Sequence, residues 1–328
     1  MIPMRIGLVY DLFDDYPWIE GEAFDADAEN EPEDTVVALE EAFRSLGHEP
    51  IRIGPARNLL PRMDAPGFDV GLSIAEGARS RNREGEAPTL FELMGVPYLG
   101  PDALTMSLSL DKAWTKDLAR AAGVATPEYH VVSEPEGCPT LDTWPWFVKP
   151  RYEGSAKGLT RQSRVESPMA LRAQVQHIIR AYAQDALVER FVEGSEFTVA
   201  VLGHDPVRTL PVIQRAVEAE TGIGLHVLER EGLREADYEW VLPGDLTSEL
   251  EARLQRDALT VFNKLECNDF ARVDFRVDAD GKPWFLEINP LPTFAPDGTF
   301  AIMAELMGQS YSDFLASVLD EALRRISP

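Results

Sequence analysis

A regular alternation of apolar and charged residues runs through RVDFRVDADGKPWFLEINPLP, residues 272–292. Few structures other than an antiparallel β-hairpin present such a pattern, because successive side chains of a strand point to opposite faces of the sheet. Glycine adopts positive φ readily, so Asp280-Gly281 predicts a two-residue turn in the middle of the segment. One face of the hairpin is then apolar and suited to a core, and the other face is charged.

The charged face of this hairpin predicts a metal site. With the turn in that place, Asp274 lies opposite Glu287, and Arg272 lies opposite Asn289. Like charges directly across a ladder repel each other, so cations are expected beside the two carboxylates. Mg²⁺ binds oxygen ligands and is usually held by one or two carboxylates together with substrate phosphates. Asp274, Glu287 and Asn289 are therefore candidate metal ligands, Arg272 suits a phosphoryl group in transfer, and a solvent-facing polar strand is the alternative.

A second segment, FVKPRYEGSAKGL (residues 147–159), combines a lysine at a strand end with a turn of small residues. Backbone N–H groups in such a turn can bind phosphate oxygens, while Lys149 supplies a positive charge. The phosphate-binding patterns GxxxxGK[ST] and GxGxxG are absent from the chain. Taken alone, the segment also fits an ordinary loop that contains glycine and serine.

A third segment, LVERFVEGSEF (residues 187–197), carries carboxylates beside an apolar stretch. An apolar hinge with one exposed carboxylate can line a purine slot, and the carboxylate can accept hydrogen bonds from ribose hydroxyls. Glu189 and Glu196 are the candidates for these positions. Two surface glutamates on a strand–turn–strand unit are the alternative.

The three segments, in this order and spacing, resemble the ATP-grasp superfamily. FELMGVPYLGPD followed by DKAWTKDLARAAGVATP resembles, more narrowly, its D-alanine–D-alanine ligase branch. The resemblance covers residues 85–328 well and residues 1–84 only loosely. It implies an ATP-grasp fold of the α/β class with three subdomains, and ATP bound between the second and the third. The alternation of strands and helices up to about residue 104 also predicts a parallel-sheet domain at the start of the chain.

The expected subdomains are an N-terminal, substrate-side α/β subdomain (residues 1–104), a central ATP-grasp subdomain (105–186) and a C-terminal ATP-grasp subdomain with the metal site (187–328). The resemblance also implies three sets of site residues. Those implied at the reaction centre are Arg272, Lys149 and Ser155. Those implied at ATP are Lys112, Lys149, Gly154, Ser155, Ala156, Glu189 and Glu196. Those implied as ligands of Mg²⁺, with Mn²⁺ as the alternative ion, are Asp274, Glu287 and Asn289.

The reaction implied by the resemblance is amide formation. ATP phosphorylates a carboxylate to an acyl phosphate, and an amine then attacks that intermediate. The implied partners are small amino acids, carboxylates and amines, and the implied assembly is a homodimer through the first subdomain. No nucleophilic side chain is required, so the histidines need no catalytic role and are expected mostly at the surface or in packing. They are His48, His130, His177, His204 and His226.

The chain departs from the D-alanine–D-alanine ligase branch where that branch binds its amino acids. A glycine-rich segment after the first strand holds the first substrate's ammonium in the branch, but residues 11–34 here contain eleven Asp/Glu and no Lys/Arg. Such a segment is either a solvated, mobile loop or a lid that attracts a cationic amine. The branch's His-Gly reads Ala75-Glu76-Gly77, and its carboxylate-binding stretch reads Ala-Pro-Asp-Gly at 295–298. Its Tyr-Lys loop is not recognisable in 216–240, where Tyr238 is the candidate replacement.

Composition argues against several classes of partner. A net charge of −25 disfavours nucleic acid or an anionic membrane as the main partner, since both require a basic surface. The first residues contain no apolar run of signal-peptide type, and no stretch of 18 apolar residues occurs, so we expect a cytoplasmic protein. Cys138 and Cys267 are expected as reduced thiols.

Three functions remain after these observations. The first is a carboxylate–amine ligase that acts on substrates other than two D-alanines, because the nucleotide half is intact and both amino-acid pockets are altered. The second is a genuine D-alanine–D-alanine ligase of peptidoglycan synthesis. The third is a nucleotide-binding regulatory protein without ligase activity, which would have no need to keep all three metal ligands.

Overall fold

The first part of the chain forms a parallel sheet in the computed structural model, which describes residues 2–78 and 80–326. Its strands are β1 (Arg5–Val9), β2 (Glu49–Gly54), β3 (Val70–Ser73) and β4 (Tyr98–Leu99). They lie in the order β2-β1-β3-β4 and are all parallel, as the alternation of strands and helices predicted. The helices of this part are α1 (Glu33–Ser45), α2 (Glu86–Met94) and α3 (Ala103–Leu110).

Helices cover both faces of this sheet, as is usual for parallel strands. On one face, α1 buries Phe43 completely. On the other face, glycines make room for aromatic rings. A Cβ atom at Gly71 would lie 2.5 Å from the ring of Phe91 in α2, and one at Gly7 would lie 2.7 Å from the ring of Phe68. Larger residues at the two glycines would therefore push the aromatic layer off the sheet.

A second, antiparallel sheet follows in the middle of the chain. Its helices are α4 (Lys112–Ala121) and α5 (Pro168–Tyr182), and its strands are β5 (Tyr129–Val132), β6 (Trp146–Pro150), β7 (Arg164–Val165) and β8 (Ala186–Arg190). The strand order is β5-β8-β6-β7. Asp111 accepts hydrogen bonds from the Ala113 and Trp114 N–H groups, and Ser167 accepts one from Ala170 N–H. Asp111 and Ser167 therefore act as the N-caps of α4 and α5, a role for which both residue types are favoured.

A third sheet carries the hairpin with the charged face. The strands in this part of the chain are β9 (Ser195–Leu202), β10 (Arg208–Thr209), β11 (Ile213–Arg215), β12 (Val217–Glu218), β13 (Trp240–Val241), β14 (Phe270–Val277) and β15 (Pro283–Asn289). The sheet runs β10-β9-β14-β15 with β11 also paired to β9, while β12 and β13 form a separate two-stranded sheet. The helices are α6 (Leu225–Arg230), α7 (Ser248–Lys264), α8 (Thr299–Leu306) and α9 (Tyr311–Ile326).

Helices from distant parts of the chain join the sheets. The apolar side of the third sheet packs against α7 and also against α4, which contributes Ala119. Helix α9 returns to the first sheet, where Leu315 and Val318 share one core with Val36 of α1. That core also contains Phe270 of β14. The first and third sheets are therefore held together by a common set of buried side chains.

The turn of the charged hairpin differs from the predicted one. Strands β14 and β15 are joined by residues 278–282 rather than by Asp280-Gly281 alone. The Asp278 carboxylate accepts hydrogen bonds from the N–H groups of Asp280 and Lys282, which stabilises the wider loop. A side-chain acceptor of this kind competes with a tight two-residue turn, and the prediction of that turn was wrong.

A β-bulge corrects the register before the charged residues are reached. Phe275 pairs with Phe285, but the next pair is Asp274 with Glu287, so Leu286 is the extra residue in β15. Bulges of this kind place two residues opposite one. The pairing of Asp274 with Glu287 that the sequence predicted is therefore confirmed, although the turn is not.

Several short elements were not predicted from the sequence: α3, α6, α8, β7 and β10 to β13. The boundaries at 104/105 and 186/187 stay a prediction, and β8, which starts at Ala186, lies in the second sheet. Both cysteine thiols are free, as expected. Within residues 2–78 and 80–326, no helix combines the length and the apolarity needed to cross a bilayer.

Candidate active site

A cavity of about 400 Å³ opens between the second and third sheets. All the residues that the resemblance implied at ATP, at the metal or at the reaction centre line it. They are Lys112, Lys149, Gly154, Ser155, Ala156, Glu189, Glu196, Arg272, Asp274, Glu287 and Asn289. The first part of the chain adds Glu31 and Glu76 to the same wall. The fold thus brings together every predicted site residue, and the individual roles stay predictions.

The carboxylates of the charged hairpin have the cationic neighbours that the sequence argument required. Lys112 Nζ lies 3.1 Å from Glu287 Oε2, and Arg272 Nη2 lies 3.2 Å from Asp274 Oδ2. Thr198 Oγ1 donates a hydrogen bond of 2.7 Å to Asp274. Burial alone would raise the pKa of Glu287, but the ammonium groups of Lys112 and Lys149 outweigh it and lower that pKa to about 2. Glu287 is therefore ionised at any physiological pH.

The donor set of this face fits a hard divalent cation. Asp274 and Glu287 are directly opposite each other on neighbouring strands, and Asn289 follows two residues after Glu287 on the same face. Two carboxylates and an amide oxygen leave most of an octahedral shell open, which is how Mg²⁺ is commonly held when phosphates supply the remaining ligands. In the described residues, no three His, Cys, Asp or Glu side chains are placed to hold a metal ion by themselves, so a metal on this face would also need the Asn289 amide and ligands such as phosphates. These three residues are therefore the best candidates for a metal that arrives with a nucleotide.

A buried ion cluster lies deeper in the cavity, and the sequence analysis found only part of it. Lys149 Nζ lies 2.7 Å from Glu189 Oε1, and Lys116 Nζ lies 2.8 Å from Glu189 Oε2. Lys116 is fully buried and also donates to Thr126 Oγ1 at 3.2 Å. Burial lowers the pKa of Lys116 to about 8, although Glu189 opposes the shift. The missed signal is the spacing of Lys116 from Lys112, which places both on one face of α4.

Aromatic and charged side chains form one wall of the cavity beside Glu189. Phe147 and Phe191 lie with ring centroids 5.8 Å apart and an interplanar angle of 30°. The guanidinium of Arg276 lies 4.8 Å above the Phe191 ring and 3.5 Å from the Glu196 carboxylate. Arg276 also donates to the carbonyl oxygens of Gly194 and Gly222. This wall offers a flat apolar surface next to carboxylates, which suits a purine nucleoside.

The loop after β6 is a turn with several residues in the left-handed region. Ser155 and Ala156 have positive φ values of 47° and 58°, and Gly158 has one of 77°. Backbone N–H groups in turns can bind anions where no protein acceptor receives them. This part of the chain lines the cavity, as the resemblance implied.

The acidic segment 11–34 is only partly solvated, so the interpretation as a free, mobile loop is wrong for its second half. Asp25, Glu29 and Glu31 are buried. Glu31 accepts hydrogen bonds from Thr35 Oγ1 at 2.8 Å and from Thr293 Oγ1 at 3.0 Å. These contacts fix the segment against the rest of the protein. The carboxylates that remain exposed lie mainly in its first half.

The cavity lining contains further carboxyl groups beside those of the nucleotide and metal candidates. Glu31, Glu76, Glu153 and Asp297 all line it. Burial raises the pKa of Glu31, and so does the nearby Asp297 carboxylate. Burial also raises the pKa of Glu76 well above its ordinary range, with a further increase from a neighbouring carboxyl, Glu84. These side chains would favour a cation between them.

One expectation about residues 216–240 needs correction, and one histidine is an exception to the general expectation for histidines. Tyr238, the candidate replacement for the branch's tyrosine, does not belong to the lining of this cavity, whereas His226 from the same stretch does. His226 therefore lies at the site and not at the outer surface or in a core. Burial lowers the pKa of His226, so its ring is neutral near neutral pH. Periodicity gave no signal for either position, because the stretch folds into a short helix between two short strands.

Comparison with known proteins places these observations in a family. A family model described as "D-ala D-ala ligase C-terminus" matches residues 118–320. The uncharacterized protein y4sG of Sinorhizobium fredii is 33% identical over 302 residues, which cover 89% of this chain and 87% of that protein. A D-alanine–D-alanine ligase of Cupriavidus taiwanensis is 33% identical over 283 residues, covering 81% and 84% of the two chains.

A solved structure extends the agreement to the fold. The D-alanine–D-alanine ligase from Bacillus anthracis complexed with ATP superimposes with a TM-score of 0.72 at 21% identity, and the match covers 98% of each chain. At that identity the likeness establishes the ATP-grasp fold and nothing finer. The family model and the relatives that are 33% identical to this chain establish the family. The chain therefore belongs to the D-alanine–D-alanine ligase family of ATP-dependent ligases.

Proposed function

We propose that this protein is an ADP-forming carboxylate–amine ligase whose amino-acid pockets differ from those of D-alanine–D-alanine ligases. One observation carries the proposal: residues suited to each part of the reaction meet in a single cavity that is also lined by additional carboxyl groups. Phosphoryl transfer needs positioning and charge stabilisation far more than it needs a reactive side chain. The cavity supplies both.

The proposed reaction has two steps. A substrate carboxylate oxygen attacks the terminal phosphorus of ATP, and ADP leaves. An amine then attacks the acyl carbon, and inorganic phosphate and a proton are released as the amide forms. Lys112, Lys149 and Arg272 would offset the negative charge of the group in transfer. A divalent ion on Asp274 and Glu287 would supply further charge neutralisation on the phosphate oxygens when bound.

The nucleotide would lie with its base beside Phe191 and its ribose near Glu196. Glu189 is held from both sides by Lys116 and Lys149, so its carboxylate presents a fixed acceptor at the base end of the cavity. Fixed polar groups in an otherwise apolar slot give orientation and specificity. We therefore propose Glu189 and its neighbours as the adenine site.

The proposed substrates include a cation. The carboxyl groups of Glu31, Glu76 and Asp297 line the cavity. Burial and the Asp297 carboxylate raise the pKa of Glu31, and burial and the Glu84 carboxyl raise that of Glu76, and a substrate ammonium would relieve the repulsion between these groups. We propose that at least one substrate carries an extra amine or lacks a free α-carboxylate. Arg215, which donates to Thr299 Oγ1, is available in the same cavity for a carboxylate.

The alternative is a D-alanine–D-alanine ligase with a divergent pocket. Relatives with that name support it, since the Cupriavidus taiwanensis ligase covers most of this chain. A non-catalytic nucleotide-binding protein is a third possibility, and it predicts ATP binding without any amino-acid-dependent release of ADP.

One experiment separates the three functions. Amino acids, diamines and small carboxylates are screened in pairs for Mg-ATP-dependent phosphate release, and products are identified by mass spectrometry. We expect the highest rate with a pair that includes a cationic amine. D-Alanine as the best single substrate would support the alternative ligase. Absence of release with every pair, together with measurable ATP binding, would support the non-catalytic protein.

A further inference from the structure

The acidic segment makes direct contact with residues 154–158 of the loop after β6, which we call the phosphate-binding loop after the role proposed for it. The Gly154 N–H group donates a hydrogen bond of 2.5 Å to Glu29 Oε1, and Lys157 Nζ donates one of 3.2 Å to Glu29 Oε2. Arg83 Nη2 donates to the same carboxylate at 2.5 Å. Burial alone would raise the pKa of Glu29, but Arg83 and Lys157 lower it to about 2. Glu29 is thus an ionised anchor at one end of the loop.

A second carboxylate anchors the other end. The Gly158 N–H group donates a hydrogen bond of 2.7 Å to Asp25 Oδ2, and Tyr182 Oη donates one of 2.9 Å to Asp25 Oδ1. Asp25 and Gly158 are both buried and lie 133 residues apart in the sequence. Both anchors therefore come from the segment that distinguishes this chain from the D-alanine–D-alanine ligase branch.

The two anchors leave the middle of the loop available. The N–H groups of Lys157 and Leu159 donate within the loop, to Gly154 and Ala156 carbonyl oxygens. In the described part of the chain, no protein acceptor receives the N–H group of Ser155 or of Ala156. Both residues line the cavity. The free donors are thus the two consecutive N–H groups between the two anchored ones.

We infer that Asp25 and Glu29 are positioning residues that hold the phosphate-binding loop so that the Ser155 and Ala156 N–H groups face the terminal phosphate of ATP. The inference rests on the proposed function only in naming ATP as the ligand. It gives a purpose to the acidic segment other than the attraction of an amine. A carboxylate on a backbone N–H is a charge-assisted hydrogen bond, stronger than a neutral one.

Hydrogen exchange tests the anchoring without any substrate. Asp25→Asn/Glu29→Gln is compared with Asp14→Asn/Asp15→Asn, which removes the same two charges from exposed positions of the same segment. In the nucleotide-free protein, we expect amides of residues 150–160 to exchange about tenfold faster in the first variant and at the wild-type rate in the second. Equal exchange in both variants would overturn the inference. If the double variant does not fold, Asp25→Asn alone is used. Its amides in residues 150–160 should then exchange faster than in the wild type, and an unchanged rate would again overturn the inference.

Nucleotide binding tests whether the two anchors help the loop to bind the terminal phosphate. Calorimetry with a non-hydrolysable ATP analogue and with AMP, both with Mg²⁺, measures Kd for each variant. We expect Asp25→Asn/Glu29→Gln to raise the Kd of the ATP analogue about tenfold and to leave that of AMP within about twofold, because only the analogue reaches the loop. Equal weakening of both nucleotides would indicate a merely structural role and would overturn the inference. Wild-type protein that binds neither nucleotide would instead contradict the proposed function, while the exchange result would still stand.

Discussion

At the scale of single residues, the site consists of carboxylates and ammonium or guanidinium groups that are buried close together. Glu189 lies between two buried lysines, and Glu287 lies beside Lys112. Each carboxylate stays ionised because the cations outweigh the effect of burial on its pKa. Removal of one partner leaves the other charge uncompensated in a site of low polarity, so substitutions here should have large and specific effects.

Glu287→Gln should abolish turnover and leave the fold intact. The neutral amide cannot supply the negative charge that holds a divalent ion beside the phosphates, so we expect the rate of Mg-ATP-dependent phosphate release to fall by about 100-fold or more. The protein should still fold, because a carboxamide fills the same space, although its melting temperature should fall since Lys112 loses its ionic partner. The matched control is Glu249→Gln, at an exposed position of α7. A nearly normal rate of phosphate release would remove Glu287 from the metal site.

Lys116→Met should change how stability depends on pH. The folded-state pKa of Lys116 is about 8, lowered by burial, whereas an unfolded lysine has one of about 10.4. Between these values the unfolded state binds more protons, so the free energy of unfolding contributed by Lys116 rises with pH. Wild-type protein should therefore gain stability relative to Lys116→Met from about pH 8 to 10, with no relative change below pH 7.5. Urea unfolding at a series of pH values measures this, and parallel curves would contradict the assignment.

At the scale of elements, helix α4 links the cavity to the sheets. Its N-cap, Asp111, also receives two hydrogen bonds of 2.8 Å from the Arg151 guanidinium, which follows β6. The helix presents Lys112 and Lys116 to the cavity cluster while Ala119 packs in the core of the third sheet. The position of both lysines thus depends on one buried carboxylate.

Asp111→Ala should destabilise the protein and weaken nucleotide binding together. Loss of the cap and of the buried ion pair should lower the free energy of unfolding by roughly 2–5 kcal/mol. Asp111→Asn keeps a side-chain acceptor for the cap, so its free energy of unfolding should fall less than that of Asp111→Ala. The control is Thr247→Ala at the N-cap of α7, which should lower stability by about 1 kcal/mol without changing the Kd of ATP. If Asp111→Ala leaves that Kd unchanged, α4 does not position the lysines.

The elements that the sequence predicted are those with a strong local signal. Strand β14 alternates apolar and charged residues, and α5 begins at the Ser167-Pro168 pair, so both follow from neighbouring residues alone. Helix α3 reads ALTMSLSL and is apolar on most sides, which hides its period. The bulge at Leu286 arises from pairing with β14 and from the loop geometry, neither of which a single strand encodes.

At the scale of the whole molecule, the predicted site residues were recognisable because each segment carries its own motif, whereas some of their partners were not. Glu189 was found in its apolar segment, but its partner Lys116 lies in a helix 73 residues earlier. Asp25 looked like one more solvated acid, because nothing near it in sequence reveals Gly158. Contacts between distant segments depend on the tertiary fold, and local periodicity cannot supply them.

The exposed negative charge of the molecule should affect how it binds a cationic substrate. The net charge is −25, and the exposed half of the acidic segment keeps carboxylates such as Asp14, Asp15 and Glu20 in solvent. The negative electrostatic potential of these charges raises the local concentration of cations and lowers that of free carboxylates. Screening acts over about 10 Å at 0.1 M salt, so the KM of a cationic amine substrate should rise with ionic strength.

The measurement is the KM of the best amine at low and high salt, with wild-type protein and with Asp14→Asn/Asp15→Asn. The variant should show a smaller rise in KM, because it lacks two of the exposed charges but keeps the anchors of the phosphate-binding loop. An uncharged amine substrate, where one is accepted, provides the matched control and should show a KM that does not respond to salt. A cationic substrate with a KM that is independent of salt in both proteins would contradict steering by the acidic surface. If D-alanine with D-alanine then proved the best pair, the carboxyl groups of the cavity would need a role other than the binding of a cation.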